Sequence, residues 1–227
     1  MHEFELIKKY FSKLSDKNKS SLNLNDDVFY DKFKKLAVSV DTYVEGVHFI
    51  NFTKPNLILK KIIRSSISDL IGKGVLPKFY FISGSGNNKT FSQLNLKKIS
   101  KSLKEEQKKY NILLSGGDTV FSKKISFTIT TIGFSNKIIL RNKAKLNDDI
   151  YVTGNLGDSF CGLLILKKKF KVKKKIKDYF IHKYYHPDIK FNLTKKLYKI
   201  ANTSIDISDG LIADLEKLIN NQKLSYK

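Results

Sequence analysis

Lysine decides what this chain can bury. All but two of the 43 basic side chains in its 227 residues are lysine, the exceptions being Arg64 and Arg141. A lysine ammonium must stay in water or find a partner, so a core has to be assembled from stretches that lack it. Lysine is missing from residues 36–53, 65–72, 111–121, 146–166 and 201–216. Burial alone would explain that. It does not explain the acids. Asp41, Asp69, Asp118, Asp206 and Asp209 lie in the same stretches, each ending an apolar run or sitting in a glycine- or serine-bearing turn. A buried carboxylate is costly unless it is paired, hydrogen-bonded or bound to a cation. With no lysine or arginine directly beside them in sequence, a divalent ion is a natural partner. A donor set of carboxylates suits Mg²⁺ rather than zinc. Asp69 or Asp209 taken alone could serve as a helix N-cap; five such residues favour a metal site.

Periodicity places these acids on an alternating framework. Phe4, Ile7, Phe11 and Leu14 recur at helical spacing, predicting an amphipathic helix over 2–14. Residues 16–34 read as a loop with a short strand, and 35–42 as a strand. Residues 55–74 read as a helix with proline near its start and glycine at its end. A strand at 78–85, a long helix at 91–110, a strand at 111–118 running into a glycine turn and a strand at 124–135 complete the first unit. The pattern then restarts. "DIYVTGNLGDSFCGLLILKKK" reads as strand, turn and helix, 186–202 as a helix, and "TSIDISDGLIADLEKLI" as strand, turn and helix. Strands alternating with helices predict an α/β or α+β fold. The expected units are residues 1–140 and a partial α/β unit at 141–227, with a seam near 140–150.

Composition removes several classes of function. No apolar run approaches the roughly 20 residues needed to span a bilayer. The N-terminal "MHEFELIKKYFSKLS" matches neither a signal nor a transit peptide, and one cysteine, Cys161, suits a reducing compartment. A cytoplasmic protein is therefore expected. The net charge of +22 raises nucleic acid as a partner. A basic surface with only two arginines argues against it, since readers of bases and phosphates rely on the bidentate arginine fork.

Short motifs add less. "SGGDT" at 115–119 could bring glycine N–H groups to phosphate oxygens while Asp118 holds a bridging metal, yet tight turns use the same letters. His182 and His186 have the spacing of a helical metal pair. No glutamate follows the first, and Pro187 follows the second, which speaks against zinc. "GNLGDS" reads equally as a phosphate loop or a plain strand-to-helix connection. No Walker, dinucleotide-fingerprint or protein-kinase set is present.

Six stretches taken together carry a resemblance: "NDDVF", "LAVSVDTYVEGVHF", "SISDLIGKGVLPKF", "LLSGGDT", "GFSNKIILRNKAKLNDDIYVTGNLGDS" and "SIDISDGLIADL". In this order and spacing the chain resembles the thiamine-monophosphate kinases, within the aminoimidazole-ribonucleotide synthetase-like superfamily of ATP enzymes. The resemblance implies transfer of the γ-phosphate of ATP to thiamine monophosphate with Mg²⁺, by direct in-line attack without a protein nucleophile. It implies a two-domain α/β protein whose N-terminal mixed sheet pairs two copies into a homodimer. Carried over by position, Asp27, Asp41, Asp69, Asp118, Asp206 and Asp209 would be the metal-binding carboxylates, and Ser39 and Val40 would lie on a metal-binding turn ahead of Asp41. Gly117, Asp118, Arg141 and Ser208 would contact ATP, and His48 would face the substrate phosphate.

Three departures stand out. The family's glycine-rich Gly-x-Gly-Asp-Asp is "NLNDD" here, with Asn23 and Asn25 in the glycine places; asparagine tolerates positive φ, so the turn can survive. Val40 replaces a commoner threonine. Family members also run roughly a third longer, through a Gly-Gly-Glu-Asp-type segment and an aromatic residue that helps hold the thiamine. A chain ending at "LEKLINNQKLSYK" is expected to expose apolar faces that the missing strands would cover, and to be poorly stable and weakly active.

Overall fold

The computed structural model describes residues 3–227, with side chains from Glu5 onward. Five strands form one mixed sheet in the order β1-β2-β5-β3-β4. They are β1 (Phe29–Asp31), β2 (Leu36–Val44), β3 (Pro77–Gly86), β4 (Leu113–Phe121) and β5 (Ser126–Phe134). Every pair is antiparallel except β3 with β4. That exception is where helix α3 (Gln93–Tyr110) supplies the crossover that parallel neighbours require.

Helix α2 (Pro55–Gly72) packs on β2, β5 and β3, and α3 packs on α2. α2 starts on Pro55, whose missing N–H costs nothing at the first turn, and buries Ile58, Leu59, Ile62, Ile63, Ile67 and Leu70. It ends where Gly74 takes φ +76°; a Cβ there would lie 2.6 Å from the Tyr198 ring. Tyr198 in turn hydrogen-bonds Ser135 and donates to the Lys137 carbonyl at 2.7 Å. Gly74→Ala therefore meets two penalties, left-handed backbone and a steric clash. It is expected to cost about 2–4 kcal/mol, read as a fall in the urea midpoint.

Residues 141–227 add α4 (Asp158–Leu166), α5 (Lys174–Tyr185), α6 (Thr194–Ile200) and α7 (Leu211–Leu218). α5 packs on α4 and also reaches α2, so the main core runs from the sheet through α2 to Tyr184 and Tyr185. The strands expected near 149–153 and 203–207 do not form, and Tyr151 is 86% exposed. Their strand-like composition finds no neighbouring strand to pair with among the described residues. The helix expected over 186–202 shortens to α6 with one 3₁₀ turn before it.

The N-terminal helix is also broken. α1 (Glu3–Leu6) gives way to a π turn at Ile7–Phe11 and a 3₁₀ turn at Ser12–Ser15. Tyr10, Phe11 and Leu14 are exposed, so no packed face enforces the α period. The Phe4 side chain lies outside the described residues. The glycine turn expected after the strand at 111–118 is instead part of β4, which continues through Gly116 and Gly117 to Phe121. Between paired rows Tyr80–Leu114 and Ile82–Gly117, β4 carries one more residue than β3. A Cβ on Gly117 would stand 1.8 Å from the Ile82 carbonyl oxygen. Glycine here permits a bulge, not a reversal.

Candidate active site

β2 is a strand along its whole length, so Ser39 and Val40 lie on no turn. The β-branched residues of "LAVSVDTYV" and unbroken pairing with β5 from Leu36 to Val44 keep it extended. Its alternation sorts the side chains. Ala37, Ser39 and Tyr43 are buried beneath α2, with Asp41 in the same set, whereas Val40 is 62% exposed on the opposite face. Whatever Val40 contributes to that pocket must come from its backbone. β1 ends opposite Val38, so from Ser39 onward one side of β2 has no strand beside it, and there the last turns of α2 approach.

Four carboxylates gather at this opening. Asp69 accepts a hydrogen bond from the Ser39 hydroxyl. Asp206, from the segment before α7, accepts one from Ser68 at 2.6 Å. Asp41 lies 3.4 Å from the Tyr43 hydroxyl, which Ser66 also contacts at 3.0 Å. Asp27 completes the group from the turn ahead of β1, where Leu22, Asn23 and Leu24 all have φ near +55°. Asparagine thus does take one glycine place in that turn, at Asn23; Asn25 has φ −123°.

The group divides electrostatically into two halves. Asp26 and Asp27 are charge-balanced. Lys73 reaches both, at 2.8 and 2.7 Å, and the Arg141 fork closes on Asp27 through two nitrogens. Burial pushes Asp27 upward, but Lys73 and Arg141 outweigh it and hold the carboxyl below its ordinary value. Asp41, Asp69 and Asp206 make no ion pair among the described residues; they meet the hydroxyls of Tyr43, Ser39 and Ser68, and Asp41 also shares a hydrogen bond with Asp69. Burial first, then the neighbouring Asp206 carboxylate, raises Asp41 to about 6. Burial and the charges of Asp206 and Asp41 raise Asp69 well above the carboxylate range. Asp206 is raised by burial and by Asp27, against the opposing Ser68 hydrogen bond and the Lys73 charge. The end of α2 presents carbonyls, not N–H groups, which adds to the negative potential.

An all-oxygen, acid-rich site of this kind fits a hard divalent cation and offers nothing to a soft one. As they stand, no three of these carboxylates converge tightly enough to grip one ion among themselves.

The remaining expected site residues lie elsewhere. Asp118 sits on the exposed edge strand β4, in the row that crosses Ser83 and Thr128 to Thr42. Three strand spacings, roughly 14 Å, separate that row's ends. Asp118 bonds the Thr119 N–H at 2.8 Å. Gly117 shares its edge. Asp209 is exposed and ion-paired to Lys217. Ser208 is fixed through its backbone, since Asp214, 1% exposed, accepts the N–H groups of Ser208, Asp209 and Gly210 at 2.8, 2.9 and 3.1 Å. His48 is exposed and takes the Val44 N–H on Nδ1 at 3.0 Å. Arg141 is buried on Asp27, so its fork is occupied by a carboxylate. His182 and His186 stack with ring centroids 4.2 Å apart at the end of α5, remote from any acid cluster among the described residues.

Sequence reasoning missed Lys73, Asp26 and Asp214. Lys73 was hidden among other lysines, although it alone stands between two glycines at a helix end. Asp214 looked like an ordinary acid of an exposed helix, yet it lies in the first turn of α7, where backbone N–H groups need an acceptor.

The profile of the family described as AIR synthase related protein, N-terminal domain, matches residues 25–135. A thiamine-monophosphate kinase of Buchnera aphidicola subsp. Acyrthosiphon pisum (strain APS) is 39% identical over 97% of this chain and 70% of its own length. The chain belongs to the thiamine-monophosphate kinase family. The kinase of Haemophilus influenzae is 36% identical over 99% of this chain and again 70% of its own length. A solved structure of AaThiL complexed with AMPPCP and TMP is 30% identical and superposes with a TM-score of 0.84, covering 95% of this chain and 69% of that one. The chain thus spans about 70% of the thiamine-monophosphate kinases it matches. No helix among the described residues is long and apolar enough to cross a membrane.

Proposed function

We propose that this chain acts as a thiamine-monophosphate kinase, moving the γ-phosphate of ATP onto the phosphate of thiamine monophosphate with Mg²⁺ as the counterion. The single observation that carries this reading is the buried neighbourhood of Asp41, Asp69 and Asp206, whose carboxyls raise one another and make no ion pair among the described residues. Two anions, a triphosphate and a phosphate monoester, must meet in this reaction. Mg²⁺ supplies the charge neutralisation that lets them do so.

The protein's own residues position the rest. Ser39, Ser68 and Tyr43 orient the free carboxylates. Asp214 rigidifies the turn at Ser208–Gly210, leaving Ser208 and Asp209 exposed for a nucleotide. His48, at the open end of β2, is placed to meet a substrate phosphate. Asp118 and Gly117 stand on β4, whose Leu113, Val120 and Phe121 are 49, 52 and 67% exposed. An unpaired apolar edge strand is a pairing surface, which supports a homodimer built on it. Such pairing would bring one copy's β4 against another's sheet, and the cytoplasm is the compartment that holds both substrates. The likeness to a structure holding the ATP analogue AMPPCP together with TMP supports the same assignment.

The test is transfer of labelled phosphate from ATP to thiamine monophosphate, with and without Mg²⁺, by the chain and by Asp69→Asn. The expected result is Mg²⁺-dependent transfer that falls at least 100-fold in the variant, the scale of losing one major electrostatic contact to the transition state. Equal rates for both proteins would remove Asp69 from the mechanism.

A further inference from the structure

Lys73 is the one lysine in the buried polar set, with none of its side chain exposed. An ammonium has three donors and no acceptor. All three of its hydrogens have an oxygen within reach: Asp26 Oδ1 at 2.8 Å, Asp27 Oδ2 at 2.7 Å and the Ser204 carbonyl at 3.0 Å. These oxygens come from two segments far apart in the chain, the turn before β1 and the stretch before α7, and the lysine itself caps the end of α2. Two carboxylates and a carbonyl around one positive centre is the oxygen cage that a hard cation would otherwise occupy.

The position of this cage also matters. Ser204 lies two residues before Asp206, and Ser68, the partner of Asp206, lies five before Lys73. One lysine therefore ties the segment carrying Asp27 to the segment carrying Asp206, and Arg141 finishes the neutralisation of Asp27. Asp26 and Asp27 are ion-paired to Lys73, whereas Asp206 feels its charge without an ion pair and stays raised.

We infer that the Lys73 ammonium is a tethered cation and a positioning residue of the carboxylate site. It fills a place between Asp26, Asp27 and the Ser204 carbonyl that a free ion would have to fill in its absence. The inference rests on the reading of Asp41, Asp69 and Asp206 as the divalent-ion site, and it concerns how many ions this chain must recruit. A lysine cation cannot dissociate, so this part of the site stays assembled at Mg²⁺ concentrations too low to load the rest.

The experiment counts Mn²⁺ bound to the full chain, by the loss of the free-ion electron paramagnetic resonance signal. It compares the parent, Lys73→Met, Asp26→Asn/Lys73→Met and Asp69→Asn, and melts each with and without Mn²⁺. Lys73→Met is expected to bind one more Mn²⁺ equivalent than the parent and to recover its lost melting temperature when Mn²⁺ is added. The double variant, with one carboxylate of the cage removed, is expected to return to the parent's number. Lys73→Met with the parent's Mn²⁺ number overturns the inference. So does Lys73→Met that stays unfolded in Mn²⁺, because a free ion then fails to take over the tethered one's place. Asp69→Asn that binds as much Mn²⁺ as the parent overturns the divalent-ion reading on its own, separately from the count at Lys73.

Discussion

In buffer free of divalent ions, the chain is expected to melt at a higher temperature at pH 5 than at pH 7.5. Most proteins show the reverse or little change over this range. The cause is the trio Asp41, Asp69 and Asp206, whose carboxyls are all raised in the folded state. In the unfolded chain each ionises near pH 4. The folded state then holds more protons than the unfolded one, so stability falls as pH rises through the folded values. For Asp41 that window runs from about 4 to about 6, and Asp69 and Asp206 act in the same direction.

Asp27 and His186 are among the groups that act in the opposite sense. Asp27, held low by Lys73 and Arg141, adds stability above pH 4 that is lost only in stronger acid. His186 is lowered by burial and by His182, so acidification below about 6.5 costs a little stability. The trio outweighs His186 because three buried acids face one half-buried imidazole. The expected difference is on the order of 2 kcal/mol, roughly 4–8 °C for a chain of this size. Millimolar Mg²⁺ at pH 7.5 is expected to remove it by binding the ionised trio. Asp69→Asn should flatten the pH dependence and abolish the Mg²⁺ response. A melting temperature that rises steadily from pH 5 to 7.5 without metal would contradict the assignment.

Much of this was legible in the letters. The lysine-free stretches did include β2, the end of α2, β4 and the segment before α7; burial explains the first two, where Ala37, Ser39, Tyr43, Ile67 and Leu70 are inside, but not β4, which is exposed along its length. Of the acids in them, Asp41, Asp69 and Asp206 lie together at the opening beside β2, while Asp118 and Asp209 are exposed. What periodicity could not reveal was which acids meet. Asp41 and Asp69 converge because β2 loses its β1 neighbour after Val38 just where α2 ends, and that depends on strand order. Asp118 looked equivalent to them, yet β4 lies three strands from β2. Gly116 and Gly117 read as a turn because glycine pairs usually are one; only the pairing with β3 distinguishes a bulge. The strands expected near 149–153 and 203–207 have the composition of strands but no partner among the described residues, and a strand exists only by pairing. Lys73 was invisible for the opposite reason: the rule that lysine stays outside is sound on average, and this residue is paired with two acids a long way off in sequence.

The two arginines carry the same lesson further. Arg141 was read as a fork for phosphate, and the structure gives it a carboxylate instead. Arg64 does likewise: its Nε and Nη2 donate to Glu106 at 2.8 and 2.9 Å, with both side chains buried between α2 and α3. In a chain where lysine fills nearly every basic position, arginine persists where a planar two-point contact is needed, which an ammonium cannot make. The energetic consequence is asymmetric. Glu106→Leu leaves the Arg64 charge buried beside Tyr110 with no hydrogen-bonded anion, and is expected to cost about 3–5 kcal/mol, enough to lower the melting temperature by roughly 10 °C. Arg64→Met/Glu106→Leu removes both charges and restores apolar volume, so the double variant should lie close to the parent. Urea unfolding of the three proteins measures this. If the double variant were as unstable as Glu106→Leu alone, the penalty would belong to packing between α2 and α3 rather than to an orphaned guanidinium, and the pair could not be called the electrostatic clamp that holds α2 in place above the acids.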